Sequence, residues 1–258
     1  MVPTPTTDLG GRWRPIVNVI PGSITFVLPT RALTMDWHDL LFAHWPLAVE
    51  QLRPFIPSGL EIDTWGGVAW LGVVPFRMTH VRPLGLRLPG GRFAYGEINV
   101  RTYVRRHGRP GVWFLSLHGQ DHLAAWGARR AFHLPYWYAD VRVRHAADGW
   151  IDFASRHDGA RTALFRGRYR PTGPVAFAAA GSFEAFVTDR LALYAARRGG
   201  GLLRADVEHA PWPLQPAELD LTLDTMAASH GLELADAPPH LLFSRHLAVT
   251  GRRAVRVG

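Results

Sequence analysis

The sequence predicts a mainly β (α+β) protein: an antiparallel β-barrel with a few peripheral helices. Three observations carry this expectation. From Trp37 onward most segments are short runs of β-branched, aromatic and aliphatic residues, and only a few show a 3.6-residue stripe. Gly66-Gly67, Gly108-Arg109-Pro110-Gly111 and Asp148-Gly149 punctuate those runs, and glycine supplies the positive φ that tight hairpin turns need. About ten strands against a few short helices suit a barrel with its helices outside, and such barrels often enclose a ligand cavity.

Residues 1–34, rich in Pro, Thr and Gly, read as an N-terminal extension, and 35–258 as a single domain, because no linker, composition shift or repeat divides the rest. Residues 37–45 read as a strand and 48–53 as a short helix, which Pro54 and Pro57 must end for want of an amide hydrogen. Residues 60–65 and 68–80 flank Gly66-Gly67 as a hairpin. The second of these strands has Val68, Trp70, Val74 and Phe76 on one face and Ala69, Leu71 and Val73 on the other, so both faces are expected to be buried. A Pro/Gly loop covers 82–91, and 97–107 with 112–118 form a second hairpin. Residues 120–132 read as a helix with Leu123, Ala124, Trp126, Gly127 and Ala131 inward. Strands follow at 137–145, 150–157 and 161–170. Ser182 caps a helix on which Phe183, Phe186, Val187, Leu191 and Tyr194 fall at helical spacing, Arg197 and Arg198 suit its negative end and Gly199 stops it. Strands at 202–209, 217–223 and 241–250, with a short helix near 224–230, complete the chain.

The chain has 258 residues, 47% of them hydrophobic, enough for a sizeable core. It contains no cysteine and no lysine, so all 29 basic residues are arginine. That pattern fits a bias toward G- and C-rich codons, and it has chemical consequences whatever its origin. A lysine Schiff base, a pyridoxal phosphate linkage, a phosphate-binding loop lysine, thiolate catalysis, thiolate zinc sites and disulfides are all excluded. His, Arg, Asp, Glu, Tyr and Ser chemistry remains. The apolar segment 16–28 is interrupted by Asn18, Pro21 and Gly22, so neither a signal peptide nor a membrane span is expected. The expectation is a soluble cytoplasmic protein.

Along 97–107 a period of two places Glu97, Asn99, Arg101, Tyr103 and Arg105 on one face. Two readings stay open. The row faces solvent, as on a half-exposed sheet, or it faces the barrel interior as an acid/base and binding set for an anionic or carbonyl substrate. In the second reading Glu97 transfers protons, Arg101 clamps an anion and Tyr103 adds a phenol. His118, Asp121 and His122 lie where a strand runs into a helix. With Ser116 they suggest a metal site or a hydrolytic triad, but a third ligand and a Gly-x-Ser-x-Gly elbow are both missing. No metal and no cofactor are expected; Asp121 suits a helix start, and the histidines could line the barrel mouth. Arg166, Arg168 and Arg170 share a strand face, and Arg252, Arg253 and Arg256 close the chain. A solvated face paired with local Asp and Glu ranks ahead of nucleic-acid binding.

The segments HDLLFAHWPL, LRPFIPSGLEIDTWGGVAWLGVVPFRM, EINVRTYVRRHGRPGVWFLSL, ARRAFHLPYWYADVRV, RYRPTG, PWPLQPAELDL and LLFSRHLAV resemble the DUF2071 family of bacterial proteins, from about Trp37 to Val249. That family implies a fold and no reaction. More distantly the chain resembles the acetoacetate decarboxylase-like superfamily, which implies a β-barrel around a buried site. There a Gly-x-Pro-Lys-Lys step after a helix carries the reactive lysine, and an earlier strand supplies a glutamate. Here Gly127-Ala128-Arg129-Arg130 precedes His133-Leu134-Pro135-Tyr136-Trp137, so Tyr136 and Trp137 stand where the resemblance places lysines, and Glu97 matches the glutamate. His38 or Arg77 could lie nearby. The resemblance implies Tyr136 as a hydroxyl donor into the cavity, with Trp137 or Tyr138 as an apolar wall extended by His44, Trp45 and Trp70. As plain packing, the same aromatics are core.

The leading expectation is a small-molecule-binding barrel, acting by lysine-independent lyase, hydratase or isomerase chemistry on an anionic or carbonyl-bearing substrate. Glu97 and Tyr136 are its catalytic candidates, and Arg101, Tyr103, His118, His122, Trp137 and His44 its binding candidates. The alternative is a non-catalytic binding or sensing barrel, with nucleic-acid binding third. Superfamily relatives form oligomers, so a homo-oligomer is also open.

Overall fold

A computed structural model describes residues 31–83, 94–234 and 239–258. Residues 1–30 and most of the Pro/Gly loop lie outside the described residues. In chain order the strands are β1 (Arg31–Leu47), β2 (Glu61–Ile62), β3 (Ala69–Pro83), β4 (Tyr95–Arg106), β5 (Arg109–Gly119), β6 (Tyr136–Tyr138), β7 (Asp140–His145), β8 (Ile151–His157), β9 (Ala163–Pro171), β10 (Ala192–Ala196), β11 (Leu202–His209), β12 (Leu214–Asp224), β13 (His240–Arg252) and β14 (Val255–Val257). The helices are α1 (Val49–Leu52), α2 (His122–Ala131) and α3 (Phe183–Thr188). No helix among the described residues is long and apolar enough to cross a membrane.

The pairings β1–β3, β3–β4, β4–β5, β5–β10, β10–β11, β11–β13 and β13–β1 return to their start and form a ring. The ring is antiparallel apart from β5–β10, and β6 also joins β5 in parallel, so the sheet is mixed. β12 leaves the ring from β13 and continues into β9, β8 and β7. One apolar cluster draws Leu40, Phe42, Val74, Phe76, Tyr95, Tyr103, Val112, Leu247 and Val249 from around the ring, with Val207 packed against it, and therefore lines its inside. A second joins Leu41, Ala43, Leu71, Val73, Ile98 and Val100 to Val141, Phe153, Phe165 and Tyr169 of the outer sheet. The wall of β1, β3 and β4 is thus buried on both faces, which explains its near-continuous apolar runs.

Several expectations need correction. β1 begins at Arg31, inside the predicted extension, because Arg31 already pairs with Arg252 of β13. Gly66-Gly67 makes only the Trp65–Val68 bridge, and β2 pairs with β4 instead of β3. The predicted strand 137–145 is two strands in different layers, β6 against β5 and β7 against β8. α2 buries Ala125, whereas Leu123 and Trp126, expected inward, are exposed. The helix begun at Ser182 ends at Thr188, since Asp189 leaves the helical region at φ −83, ψ 60. Residues 192–196 then alternate as β10, and Gly199, Gly200 and Gly201, all at positive φ, turn the chain into β11. The arginine row on β9 is a solvated, paired face: Arg168 meets Asp220, Arg170 meets Glu218, and both guanidiniums lie over Trp150.

α3 is pinned by an ion pair that sequence reading did not indicate. Arg190 Nη1 lies 2.6 Å from Asp63 Oδ2, with both side chains buried, and Arg105 holds the other oxygen at 2.9 Å. Removing one partner leaves a buried charge uncompensated. Asp63→Asn is expected to cost about 3–5 kcal/mol in urea unfolding; a loss below about 1 kcal/mol would place the pair among weak surface bridges.

Candidate active site

β4 places Tyr95, Glu97, Asn99, Arg101 and Tyr103 on one face, and Tyr95 and Tyr103 belong to the cluster inside the ring. As far as Tyr103 the row faces the interior and not solvent, whereas Arg105 at its end is exposed. Glu97 is 3% exposed. Its neighbour across the β4–β5 ladder is Gly119, and β6 runs along the other edge of β5 with Tyr136 opposite Leu117. Tyr136 reaches Glu97 by lying across Gly119, where a Cβ would stand 2.3 Å from the phenol oxygen. The Tyr136 hydroxyl donates to Glu97 Oε2 at 2.5 Å.

Burial pushes the Glu97 carboxyl up to about 7, partly opposed by hydrogen bonds from Tyr136 and Asn99. Tyr136 is pushed well above the ordinary phenol value by burial and then by the Glu97 charge. Tyr95 shifts the same way, through burial and then Glu97, and its hydroxyl lies 3.5 Å from Met78 Sδ. Asn99 Oδ1 is buried without a hydrogen-bond partner. The result is a carboxyl that can take or give a proton near neutrality, beside a phenol that stays protonated. Tyr95 was missed because the predicted strand began at Glu97; continuing the alternation two residues back reaches it.

Arg101 is not beside Glu97. Asn99 separates them, and four residues of strand span about 13 Å. Arg101 Nη2 instead donates to Val187 O at 3.1 Å, and its guanidinium lies over the rings of Phe42 and Tyr103. The Tyr103 hydroxyl donates to the same carbonyl at 3.0 Å and meets His44 Nε2 at 2.5 Å. Burial, then Arg101 and His240, hold His44 well below the ordinary histidine range, so it is neutral. These three side chains tie the C-terminal end of α3, whose free carbonyls need partners, into the ring.

The remaining candidates lie elsewhere. The β4–β5 ladder has an irregularity between Val100, opposite Ser116, and Arg101, opposite Phe114. It reverses the alternation of β5, so Leu117 faces inward with Tyr136 while Ser116 and His118 face the outer layer. His118 is buried with neither ring nitrogen partnered, and burial, then His157 and His230, push it down to about 3. Ser116 meets His230 at 2.9 Å. His122 is exposed and stacked on Tyr138, and Trp137 is exposed beside Arg129 and His157. Trp70 packs on Phe183 against the inner cluster, whereas Trp45 belongs to the outer one. His38 and Arg77 pair with each other on the outer face of the wall. Asp121 caps α2 by accepting from Ala124 N at 2.7 Å, as its position suggested.

β5 pairs with β10 at residues 112–113 and with β6 at 117–119, leaving 114–116 unpaired on that edge. A pocket of about 220 Å³ opens there, lined by Phe114, Leu115, His133, Pro135, Tyr194 and Ala195. It adjoins the residue that precedes Tyr136.

Residues 34–248 match the family DUF2071, described as an uncharacterized conserved protein. The chain belongs to the DUF2071 family. It is 40% identical to the Uncharacterized protein YqjF of Bacillus subtilis (strain 168) over 213 residues, 83% of this chain and 87% of that protein. Among solved structures, this DUF2071 protein is similar to the enduracididine biosynthesis enzyme MppR complexed with pyruvate, with a TM-score of 0.63 and 15% identity over 92% of this chain and 95% of that one. It is likewise similar to acetoacetate decarboxylase from Legionella pneumophila, with a TM-score of 0.64 and 12% identity over 98% and 93%. Such low identities establish the acetoacetate decarboxylase-like fold of this DUF2071 protein and nothing about its chemistry.

Because burial raises the Glu97 carboxyl from 4.5 to about 7, the folded state binds an extra proton between these values. Stability from that proton is complete below about 4.5 and is lost as pH rises through about 7. Glu97→Gln should therefore gain on the wild type by up to about 3 kcal/mol between about pH 4.5 and about pH 8 in urea unfolding. Parallel stability profiles would contradict the raised value. Gly119→Ala should displace the Tyr136 ring and bring the Glu97 titration toward that of a Tyr136→Phe variant, measured by the same pH series. An unaltered titration would show that Gly119 does not set the contact.

Proposed function

We propose that this protein binds a small carbonyl-bearing molecule inside the ring and moves a proton on it by lysine-independent acid/base chemistry of lyase, hydratase or isomerase type. The observation that carries this reading is the buried Glu97 carboxyl, near-neutral in its proton affinity, accepting a hydrogen bond from Tyr136. A general acid/base works best with a pKa near the operating pH. Tyr136 is a neutral donor suited to an oxygen on which negative charge develops. When Glu97 removes a proton from the carbon next to a carbonyl, the electron pair passes to the carbonyl oxygen, and Tyr136 stabilises the resulting enolate. Returning the proton to another atom completes an isomerisation; loss of a β-leaving group completes an elimination.

The position of Arg101 sharpens the substrate class. Its guanidinium is tied to Val187 O and not poised beside Glu97, which supports recognition of a carbonyl over clamping of a carboxylate. The structurally similar MppR is named as complexed with pyruvate, which supports including that carbonyl compound in the test beside uncharged ketones and aldehydes. The pocket beside Pro135 supports entry through the gap between β6 and β10.

Incubation in D₂O with pyruvate and a set of simple ketones and aldehydes, followed by proton NMR, reads the proposed step directly. At least one compound should exchange its α-protons with the wild type, with Glu97→Gln slower by about 10²-fold or more and Tyr136→Phe also impaired. Borohydride added to the same mixtures should trap no adduct on any side chain, because the chain has no lysine. Copurifying or added carbonyl ligands that bind without exchange would favour the non-catalytic binding barrel. A protein that neither binds nor exchanges them would overturn the proposal.

A further inference from the structure

On the outer face of the ring wall, away from Glu97, β13, β1 and β3 lie side by side and bring histidines and a carboxylate together. Asp36 and His38 are two residues apart on β1, so they share a face, while Trp37 between them turns inward to stack on Trp212. His246 of β13 is the cross-strand partner of His38, and Thr79 of β3 is that of Asp36. One ligand atom from each of Asp36, His38 and His246 lies within 4.8 Å of the other two. His246 Nε2 is 3.4 Å from Asp36 Oδ1, and His38 Nε2 is 2.8 Å from Thr79 Oγ1.

We propose that Asp36, His38 and His246 form a binding site for one divalent transition-metal ion. Two imidazoles and a carboxylate are a donor set that zinc and iron(II) both accept, with coordination positions left for water or an external ligand. Chains without thiols build such sites from histidine and carboxylate, and this chain has no cysteine and 13 histidines. His80 supplies the outer support that metal carboxylates commonly have. Its Nδ1 meets Asp36 Oδ2 at 2.7 Å and leaves Oδ1 toward His246. The backbone takes the left-handed conformation at both Asp39 and His80, non-glycine residues beside the cluster with φ of 55 and 51.

The surrounding charge is compatible with a cation. Arg245 and Arg77, which flank the cluster, are drawn to Asp39, at 2.8 and 4.0 Å, and His145 meets the same carboxylate at 2.7 Å. Asp36 keeps its own negative charge for the ion. The side chains of His246 and His80 are about half exposed, at 51% and 45%, so the site is open to ions from solvent.

The test uses untagged full-length protein freed of metal by a chelator. Cobalt(II) is titrated by visible absorption, then displaced by zinc(II). One equivalent should bind with micromolar or tighter affinity and raise the apparent unfolding temperature, as a ligand of the native state must. His246→Ala and His38→Ala should each weaken binding by about 10²-fold or more, and His80→Gln by about 10-fold. His246 is the decisive position because its exposure makes the variant tolerable to the fold, which circular dichroism checks. Absence of cobalt binding at millimolar concentration would overturn the proposal and leave the cluster a hydrogen-bonded strand end. Stoichiometric binding unchanged in His246→Ala and His38→Ala would overturn it equally.

Discussion

Burial of the ring wall on both faces is the constraint on which the rest depends. Along their buried middle stretches β1, β3 and β4 separate an interior cluster from an outer one, so a polar side chain there has no water to turn to. Every polar group on the inner face must be neutral or partnered, or else carry a penalty of about 1–3 kcal/mol. Glu97 answers by keeping its proton to higher pH and accepting from Tyr136; Arg101, Tyr103 and His44 answer by binding the end of α3. Asn99 Oδ1, Ser244 Oγ and the Trp37 and Trp70 indole nitrogens have no such answer. These are groups that a polar guest or water would satisfy.

The missing lysine acquires a structural meaning against this background. An amine buried beside Glu97 would form an ion pair with it and hold the carboxylate charged. A tyrosine supplies a donor without a charge, so the carboxyl stays near the point where it can exchange a proton. The same pair of strands can thus present an uncharged acid/base unit, and Gly119 is the small residue that lets the phenol cross β5 to reach it. The His/Asp cluster on the outer face belongs to a different environment, half open to solvent, where imidazoles and a carboxylate face an external partner.

Much of this was legible because alternation is a strong signal on a wall whose pairings are regular. The 97–107 row, the hairpin at Gly108, the solvated arginines of β9 and the Asp121 cap all follow from period and local chemistry. Resemblance named Glu97 and Tyr136 as candidates, but their contact was not read, since residues 39 positions apart on strands separated by β5 leave no local trace. What was not legible arises where one local pattern serves two structures. Leu191 and Tyr194 fit a helical stripe, yet the Arg190–Asp63 pair and the ladders to β5 and β11 make that stretch a strand. His118 was placed as a possible lining of the barrel mouth, and the irregularity at Val100/Arg101, which no local pattern announces, turns it to the outer layer. Asp36, His38 and His246 were not grouped because the strands that unite them lie at opposite ends of the chain.

The central claim is that a dry wall keeps Glu97 protonatable at neutral pH. Carbon-13 NMR of protein labelled at the glutamate side-chain carboxyls tests it most directly, with Glu97→Gln identifying the resonance. The account predicts one carboxyl titrating near pH 7, with its midpoint displaced in Tyr136→Phe. A Glu97 carboxyl that titrates with the exposed glutamates, and is indifferent to Tyr136, would contradict it.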